Sequence, residues 1–230
     1  MQLFPPLDLA ALACFAGAWA IYAIAVEWTP HGRNTLNAHM DRYREIWIRR
    51  MLHREARMVD MQIMAALQNG TAFFASTSLI AIGGTLSLLR STEDVLTVMG
   101  SLPLAIPTTR EQWEAKTIGL VIIFAYAFFK FAWSYRLYNY VSILLGAMPF
   151  SEDRETPEAL AHVHRTALMF RSAGQHFNRG QRGFFLAIGY LGWFAGPYAL
   201  IAATAAVIII LWRRQFASES RRAVMDDAAP

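Results

Sequence analysis

Cysteine and lysine are nearly absent from the chain, which has one cysteine, Cys14, and only two lysines, Lys116 and Lys130. A single cysteine excludes a disulfide within the chain, so the cysteine content does not indicate a redox compartment. Structural zinc sites usually combine cysteine with histidine, and Cys14 is far in sequence from every histidine except those of the first connection. We therefore predict no metal site.

Recognisable catalytic patterns are also missing. No GxSxG, HExxH or phosphate-loop sequence occurs in the 230 residues. A haem held between helices needs histidines inside the apolar segments, and all six lie outside them: His31, His39, His53, His162, His164 and His176. The sequence thus predicts no catalytic residue and no cofactor, and an enzyme is the less favoured class.

Charged residues are rare in four long segments of the chain. Hydrophobic residues make up 55% of the sequence and are gathered in blocks rather than dispersed. A helix needs about 20 apolar residues to cross the hydrocarbon core of a bilayer. The blocks predict four spans, at about 7–27, 63–89, 117–138 and 184–212. The fold class is therefore all-α, a four-transmembrane-helix bundle that forms one membrane domain over residues 1–230.

The connections between these spans show helical patterns of their own. Residues 36–69 contain no glycine or proline, and apolar side chains recur there at near-helical spacing between arginines. This helix is predicted to run straight into the second span or to bend near Gly70. Thr156 before Pro157 marks another helix start, which we expect to end at Gly174. Long amphipathic helices over 34–62 and 148–183 would then form a cytoplasmic layer.

The distribution of positive charge predicts the orientation. Connections 28–62 and 148–183 carry 12 arginines, whereas the two tails and the second connection carry seven positive residues. The positive-inside rule places these two connections in the cytoplasm and both termini outside, in a multi-pass protein of the plasma membrane. The basic C-terminal tail disagrees with this arrangement, because it holds four arginines: Arg213, Arg214, Arg221 and Arg222.

Lys130 lies thirteen residues into the third predicted span, where an ammonium group costs about 2.5–3.5 kcal/mol near the bilayer centre. One interpretation is an anion pathway that faces the bundle interior. The other is a lysine that extends to the interface or pairs with a carbonyl or an acid. Other polar groups at or inside the span ends are candidates for the same pathway or for buried polar contacts: Ser134, Arg136, Asn139, Asp60, Ser76 and Thr77.

A second polar group precedes the fourth predicted span. Arginines and glycines alternate in residues 177–183, a composition that suits either a grip on a lipid phosphate or an ordinary basic flank. The candidates for headgroup binding are Arg57, Asn178, Arg179 and Arg182. Small residues within spans indicate close helix contacts, and the candidates for helix packing are Gly83, Gly84, Gly192 and Gly196.

Several short motifs, in this order along the chain, resemble a known family. They are Asn34, Arg57-Met58-Val59-Asp60, Phe73-Phe74-Ala75-Ser76-Thr77 with Gly83-Gly84, Lys130-Phe131-Ala132-Trp133-Ser134 with Arg136, Tyr138-Asn139-Tyr140, and Phe177-Asn178 with Gly180 and Arg182. The chain resembles an uncharacterised membrane protein family of bacteria and plants, domain of unknown function 599, over nearly its whole length. That resemblance implies a multi-pass protein of the bacterial inner membrane and carries no activity.

Three functions remain open at this point. The first is an oligomeric channel or transporter for an anion or a small solute, since four spans alone make a narrow pathway. The second is a structural or accessory subunit of a membrane complex that docks through its cytoplasmic helices. The third is a lipid-handling enzyme. The expected partners are the lipid bilayer, further copies of the chain and a membrane-complex partner, with no nucleic acid.

Overall fold

The computed structural model describes residues 3–100 and 107–225, and every regular element within these ranges is a helix. Short 3₁₀ turns connect some of them, at Pro30–Asn34, Ser151–Asp153 and Gly192–Ala195. The all-α class predicted from the sequence is confirmed. The α-helices are α1 (Pro6–Glu27), α2 (Leu36–Met51), α3 (Met58–Arg90), α4 (Thr92–Gly100), α5 (Arg110–Gly146), α6 (Pro157–Leu191), α7 (Pro197–Phe216) and α8 (Glu219–Met225).

Four helical segments within the described part of the chain are long and apolar enough to cross a bilayer. They are α1, α3, α5 and the segment Pro197–Met225, with mean hydropathies of 1.5 to 2.1 in their most apolar windows. Segments of this length and composition are typical of membrane spans. The chain is thus a membrane-embedded helical protein, and the first three predicted spans each lie within one of these helices.

The fourth predicted span, 184–212, is wrong as a single helix. The charge-free run is divided between the end of α6 and α7, with a 3₁₀ turn at Gly192–Ala195 between them. Gly196 has φ 119°, which a side chain would strain, and Pro197 has no amide hydrogen to donate, so it suits only a first helical turn. The run therefore forms a helical hairpin rather than one continuous helix.

The expected end of a helix at Gly174 is also wrong, because α6 continues through that residue to Leu191. Glycines in α6 serve close packing instead of termination. A Cβ on Gly174 would lie 2.7 Å from the guanidinium carbon of Arg44, and one on Gly180 would lie 2.7 Å from the ring of Phe131. Such approaches to neighbouring helices are possible only where the side chain is a hydrogen atom.

The first connection breaks before Gly70, between α2 and α3, at residues 52–57. No glycine or proline marks this place. Arg57 explains it, since its guanidinium donates to the carbonyls of Met148 (2.9 Å) and Pro149 (2.6 Å) in the connection between α5 and α6. Tertiary hydrogen bonds, rather than a local sequence signal, therefore set the turn.

Helix α6 runs antiparallel to α5 along nearly its whole length. At one end, Lys116 of α5 donates to the carbonyl of Trp193 just beyond α6 (2.9 Å). At the other end, a ring nitrogen of His162 in α6 lies 2.8 Å from the carbonyl of Leu144 in α5. We call these the Trp193 end and the His162 end. A span formed by α5 thus has α6 beside it throughout.

Helices α1 and α7 are parallel, because Phe15 and Leu200 share one core cluster while Tyr22 and Leu211 share another. The chain begins at the Trp193 end, where Gln112 donates to the carbonyl of Leu3 (2.9 Å). Helix α8 lies beyond the opposite ends of α1 and α7. The first described residues and α8 thus lie at opposite ends of the bundle, and the side of the membrane on which each terminus lies stays a prediction.

Three helices are longer than α1 and α7 and extend beyond them. They are α3, α5 and α6, with 33, 37 and 35 residues, against 22 and 20 in α1 and α7. At about 1.5 Å per residue this adds roughly 15–25 Å toward the His162 end. Helix α2 packs against the extension, where Ile48 and Met51 are fully buried with Val141 and Phe170. The connection 34–62 thus packs on the bundle. Its cytoplasmic placement stays a prediction.

Candidate functional site

A pocket of about 680 Å³ lies where α1 ends, and it is enclosed by the turn at 30–34, the first half of α2 and the middle of α6. We call it the Glu27 pocket. Five arginines and two carboxylates are among the lining residues. These are Val26, Glu27, Trp28, Thr29, Pro30, Gly32, Arg33, Thr35, Asn37, Ala38, Asp41, Arg42, Arg171, Gln175, Asn178, Arg179 and Arg182.

One wall of the pocket is fixed by local hydrogen bonds around the 30–34 turn. Thr35 caps α2 by accepting from the amide of Ala38 (3.2 Å), and its hydroxyl donates to the carbonyl of Gly32 (2.8 Å). Gly32 lies so close to the carbonyl of Val26 that no side chain would fit. This compact turn directs the chain from the end of α1 into α2 and holds both beside α6.

The floor of the pocket is an ion-paired cluster that joins α1 to α6. Arg179 grips both carboxylate oxygens of Glu27, with an Nη2–Oε2 distance of 2.7 Å and an Nε–Oε1 distance of 3.1 Å. Arg182, one turn further along α6, also donates to the Glu27 carboxylate. Only 8% of Arg182 is exposed. A guanidinium so far from water requires a negative partner, and Glu27 is that partner.

The α2 side of the pocket holds the second carboxylate, Asp41, which pairs with Arg44. Burial raises the pKa of Asp41, while the guanidinium groups of Arg44 and Arg171 oppose that rise. Arg33 and Arg42 also line the pocket and are exposed. Since the pocket has five arginines and two carboxylates, its electrostatic potential favours anions.

Three of the four predicted headgroup residues line this pocket, namely Asn178, Arg179 and Arg182. The fourth, Arg57, does not, because its guanidinium is used to hold the two connections together. Its neighbour in sequence, Asp60, is fully buried and accepts from the indole of Trp47 (2.6 Å). The sequence identified these side chains as polar groups near span ends but did not show which carbonyls they would meet.

Lys130 lies near the middle of α5, level with the end of α1. Its neighbour Phe131 packs on Gly180, which places Lys130 beside the part of α6 that binds Glu27. The ammonium group lies 5.3 Å from the centre of the Tyr126 ring, and the residue is half-buried. The predicted span 117–138 lies within α5, and the pathway role of Lys130 stays a prediction.

Ser134 and Asn139 link neighbouring helices. The hydroxyl of Ser134 donates to the carbonyl of Ala173 (2.8 Å), and both groups are buried between α5 and α6. The side-chain oxygen of Asn139 accepts from the amide of Gln68 (2.8 Å), between α5 and α3. Ser134 thus makes a buried polar contact and Asn139 a half-buried one, and a pathway role for either stays a prediction.

The remaining pathway candidates are not gathered with Lys130. Arg136 is exposed and donates to the hydroxyl of Tyr140 on its own helix (2.7 Å). Ser76 is exposed, and the hydroxyl of Thr77 donates to the carbonyl of Phe73 one turn earlier (2.8 Å). Their positions on α3 and α5 therefore do not form one polar path within the chain.

The predicted packing glycines divide into two kinds. Gly83 and Gly84 are exposed on α3, and a Cβ on either would meet nothing within 4 Å. Gly192 and Gly196 belong to the hairpin turn instead of a helix face. A Cβ on Gly192 would lie 2.6 Å from the carbonyl oxygen of Ala199, so only glycine at position 192 permits this close approach to the backbone of α7.

Two features escaped the sequence reasoning. Glu27 was taken as the end of an apolar block, and nothing local indicated that two arginines more than 150 residues away would bind it. The second feature is a buried cluster at the Trp193 end, in which the Trp193 indole donates to Asp8 (2.6 Å) and the ammonium of Lys116 lies 4.0 Å from Asp8. For both features, the only indication in the sequence was a charged residue next to an apolar block.

Comparison with known proteins gives one match. Neither a curated protein nor a solved structure matches the chain. The model of the family described as "Protein of unknown function, DUF599" matches residues 10–220, which is most of the chain. The chain therefore belongs to the DUF599 family.

Proposed function

We propose that this protein binds an anion in the Glu27 pocket, at the cytoplasmic boundary of the plasma membrane. The observation that carries the proposal is the excess of arginine in a concave site of about 680 Å³. Pockets of roughly 300–1,000 Å³ are the usual size for small-molecule sites. Arg33 and Arg42 line the pocket in addition to the arginines that pair with Glu27 and Glu45, and an oxyanion is recognised by the paired donors of a guanidinium group.

The orientation part of the proposal rests on charge. The connection 28–57 and the C-terminal arginines Arg213, Arg214, Arg221 and Arg222 lie toward the His162 end, as the hydrogen bond from Arg221 to the carbonyl of Asn34 (2.7 Å) supports. The Trp193 end has Arg90, Arg110 and Lys116. With the hairpin counted as a further passage, the basic tail joins the other basic segments, and the positive-inside rule applies without an exception.

Transport of the bound anion is the next step of the proposal. Between the pocket and the Trp193 end, the space beside α5 is filled by buried apolar side chains, among them Leu120, Ile123 and Ala127. A close-packed interior does not conduct ions. An anion bound in the pocket would therefore cross only if α1 and α7 moved against α5 and α6, or if several copies formed a path between them.

Fluorescence offers a direct test of binding. Trp28 lines the pocket and is 81% exposed, so a bound anion should change its emission. Titration of the purified protein with phosphate should give a saturable change that disappears in Trp28→Phe. Arg42→Gln, at the pocket, should weaken binding at least tenfold. Arg136→Gln, an exposed arginine outside the pocket, should leave it unchanged, and equal effects of the two substitutions would exclude the pocket as the site.

The accessory-subunit function stays a second candidate because of one surface. Met40 and Ile46, six residues apart on α2, are 39% and 41% exposed although this helix lies in the extension beyond α1. A contact between copies or with a partner would cover them. Ile46→Cys in a Cys14→Ala background should then form a crosslink in membranes, while Arg50→Cys on the same helix serves as the control for random collision.

A further inference from the structure

We infer that Arg179 and Arg182 are the oxyanion subsite of the Glu27 pocket and that the carboxylate of Glu27 fills this subsite until a ligand replaces it. The inference rests on the proposed function, which it makes specific. Glu27 accepts three hydrogen bonds from Arg179 and one from Arg182. Two guanidinium groups thus already hold one planar oxyanion, and they do so at the floor of a pocket with room for another.

The geometry defines the chemistry of the replacing group. Arg179 presents two N–H donors to the two oxygens of one carboxylate, the forked arrangement that suits carboxylate and phosphate equally. Arg182 supplies a further donor from one helical turn away, which favours a group with a third acceptor oxygen. The ligand class is therefore a phosphate group with at least three free oxygens, borne either by inorganic phosphate or by a lipid headgroup.

The position of Glu27 allows its carboxylate to separate from Arg179 and Arg182. It is the last residue of α1, where the partial negative charge of the helix C-terminus disfavours a carboxylate. The next residue, Trp28, lines the same pocket and is 81% exposed. The side chain of Glu27 itself is 21% exposed. Release of Glu27 toward water therefore requires only local movement at the end of a helix.

Arg182 explains why the subsite cannot simply stay empty. Its side chain is 10% exposed, and a guanidinium that loses its carboxylate in such surroundings keeps the full cost of desolvation. An incoming phosphate restores that pairing. Exchange of one anion for another preserves the ion pair, whereas release without replacement does not. Ligand binding and Glu27 release are consequently one coupled event.

Glu27→Gln tests this coupling, because it keeps the shape of the side chain and removes its charge. Thermal unfolding of the purified protein would be followed with inorganic phosphate against chloride, which is not an oxyanion, at constant ionic strength. We expect Glu27→Gln to unfold at a lower temperature than wild type without phosphate. Phosphate should then restore the midpoint and bind at least tenfold more tightly than to wild type. Glu114→Gln, which removes a carboxylate paired with Arg110 at the Trp193 end, should bind phosphate within about threefold of wild type.

The outcomes separate the inference from the proposed function. If wild type binds phosphate and Glu27→Gln binds it with the same affinity, the proposed function stands and the role of Glu27 is wrong. If Glu27→Gln binds phosphate tightly and wild type does not bind it, the arginine subsite is supported but the proposed anion binding by the native pocket is wrong. No binding by either overturns both. Glu27→Gln with Arg182→Gln should lose the gain, and its persistence would contradict the assignment of Arg182.

Nanodiscs distinguish the two sources of phosphate. Wild type in discs of phosphatidylcholine would be compared with discs that contain phosphatidic acid. If a headgroup is the ligand, phosphatidic acid should raise the unfolding midpoint and free phosphate should add little to it. If free phosphate is the ligand, only the soluble ion should act, in both kinds of disc. If neither phosphatidic acid nor free phosphate changes the unfolding midpoint of wild type, the phosphate subsite is wrong.

Discussion

Arg182 donates to the carboxylate of Glu27, which lies 155 residues earlier in the chain. The pair joins the last residue of α1 to the middle of α6, and only 8% of Arg182 is exposed. It therefore links the end of α1 to α6 and creates the floor of the Glu27 pocket, while buried apolar contacts hold the rest of α1 against the bundle. A single ion pair thus connects the arrangement of the helices with the site that we propose binds an anion.

The two chain termini should lie on opposite sides of the membrane. In a Cys14→Ala background, an impermeant thiol reagent added to intact cells should label Arg90→Cys and leave Glu219→Cys unlabelled until the cells are opened. The reason is that α1 and α7 are parallel and the turn before Pro197 adds a passage. Arg50→Cys should behave like Glu219→Cys. Labelling of both Arg90→Cys and Glu219→Cys from outside would restore the four-span arrangement.

Packing of α6 on α5 should depend on the absence of a side chain at Gly180. Gly180→Ala places a Cβ 2.7 Å from the ring of Phe131, which is fully buried, so the helices must separate or the ring must shift. Overpacking of this kind costs about 1–3 kcal/mol. Gly70→Ala is the matched control, because a Cβ there meets nothing within 4 Å and improves helix propensity.

Chemical denaturation in detergent would measure both glycine variants. Gly180→Ala should lower the free energy of unfolding, and Gly70→Ala should leave it unchanged or raise it by up to about 1 kcal/mol. Equal loss in the two variants would show that glycine content in general, rather than this contact, supports the helices.

The two lysines should differ in their importance for stability. Lys116 is 5% exposed, donates to the carbonyl of Trp193 and lies near Asp8, so Lys116→Met removes a buried charge from its partners. A loss of roughly 3 kcal/mol is typical when one member of a buried pair is removed. Lys130→Met removes a half-buried contact with Tyr126, worth about 1 kcal/mol or less. Thermal unfolding of both variants under one condition would test this order, which a larger loss in Lys130→Met would reverse.

Stability should fall in mild acid through His39. Burial, together with the charges of Arg42 and Arg221, holds the pKa of His39 below its usual value. A group whose pKa is lowered on folding contributes stability that is present above the unfolded pKa, about 6.5, and is lost as the pH falls through the folded pKa. Unfolding midpoints measured between about pH 8 and pH 5 should therefore decline. The decline should be smaller in His39→Gln, and an identical pH profile in that variant would contradict the role of His39.

The all-α fold class could be predicted from the sequence, because the runs of apolar residues that indicate membrane helices are a local signal. Charge-free blocks predict helices in a bilayer, and α1, α3 and α5 each contain the predicted span. The run 184–212 was predicted as one helix, because composition does not distinguish one helix from a hairpin. Gly192 and Gly196, which belong to the turn, were predicted to be packing glycines within a span. Within the site, Arg179 and Arg182 were found because they cluster in sequence. Glu27 was missed, because its partners come from a helix that only tertiary structure brings near.

Equilibrium dialysis of the purified protein against radiolabelled phosphate tests the central claim most directly. The claim is that each chain has one anion site, in the Glu27 pocket. We predict saturable binding of one phosphate per chain, at least tenfold weaker in Arg42→Gln and unchanged in Arg136→Gln. Binding that never saturates, or that responds equally to both substitutions, would contradict an anion site in the pocket.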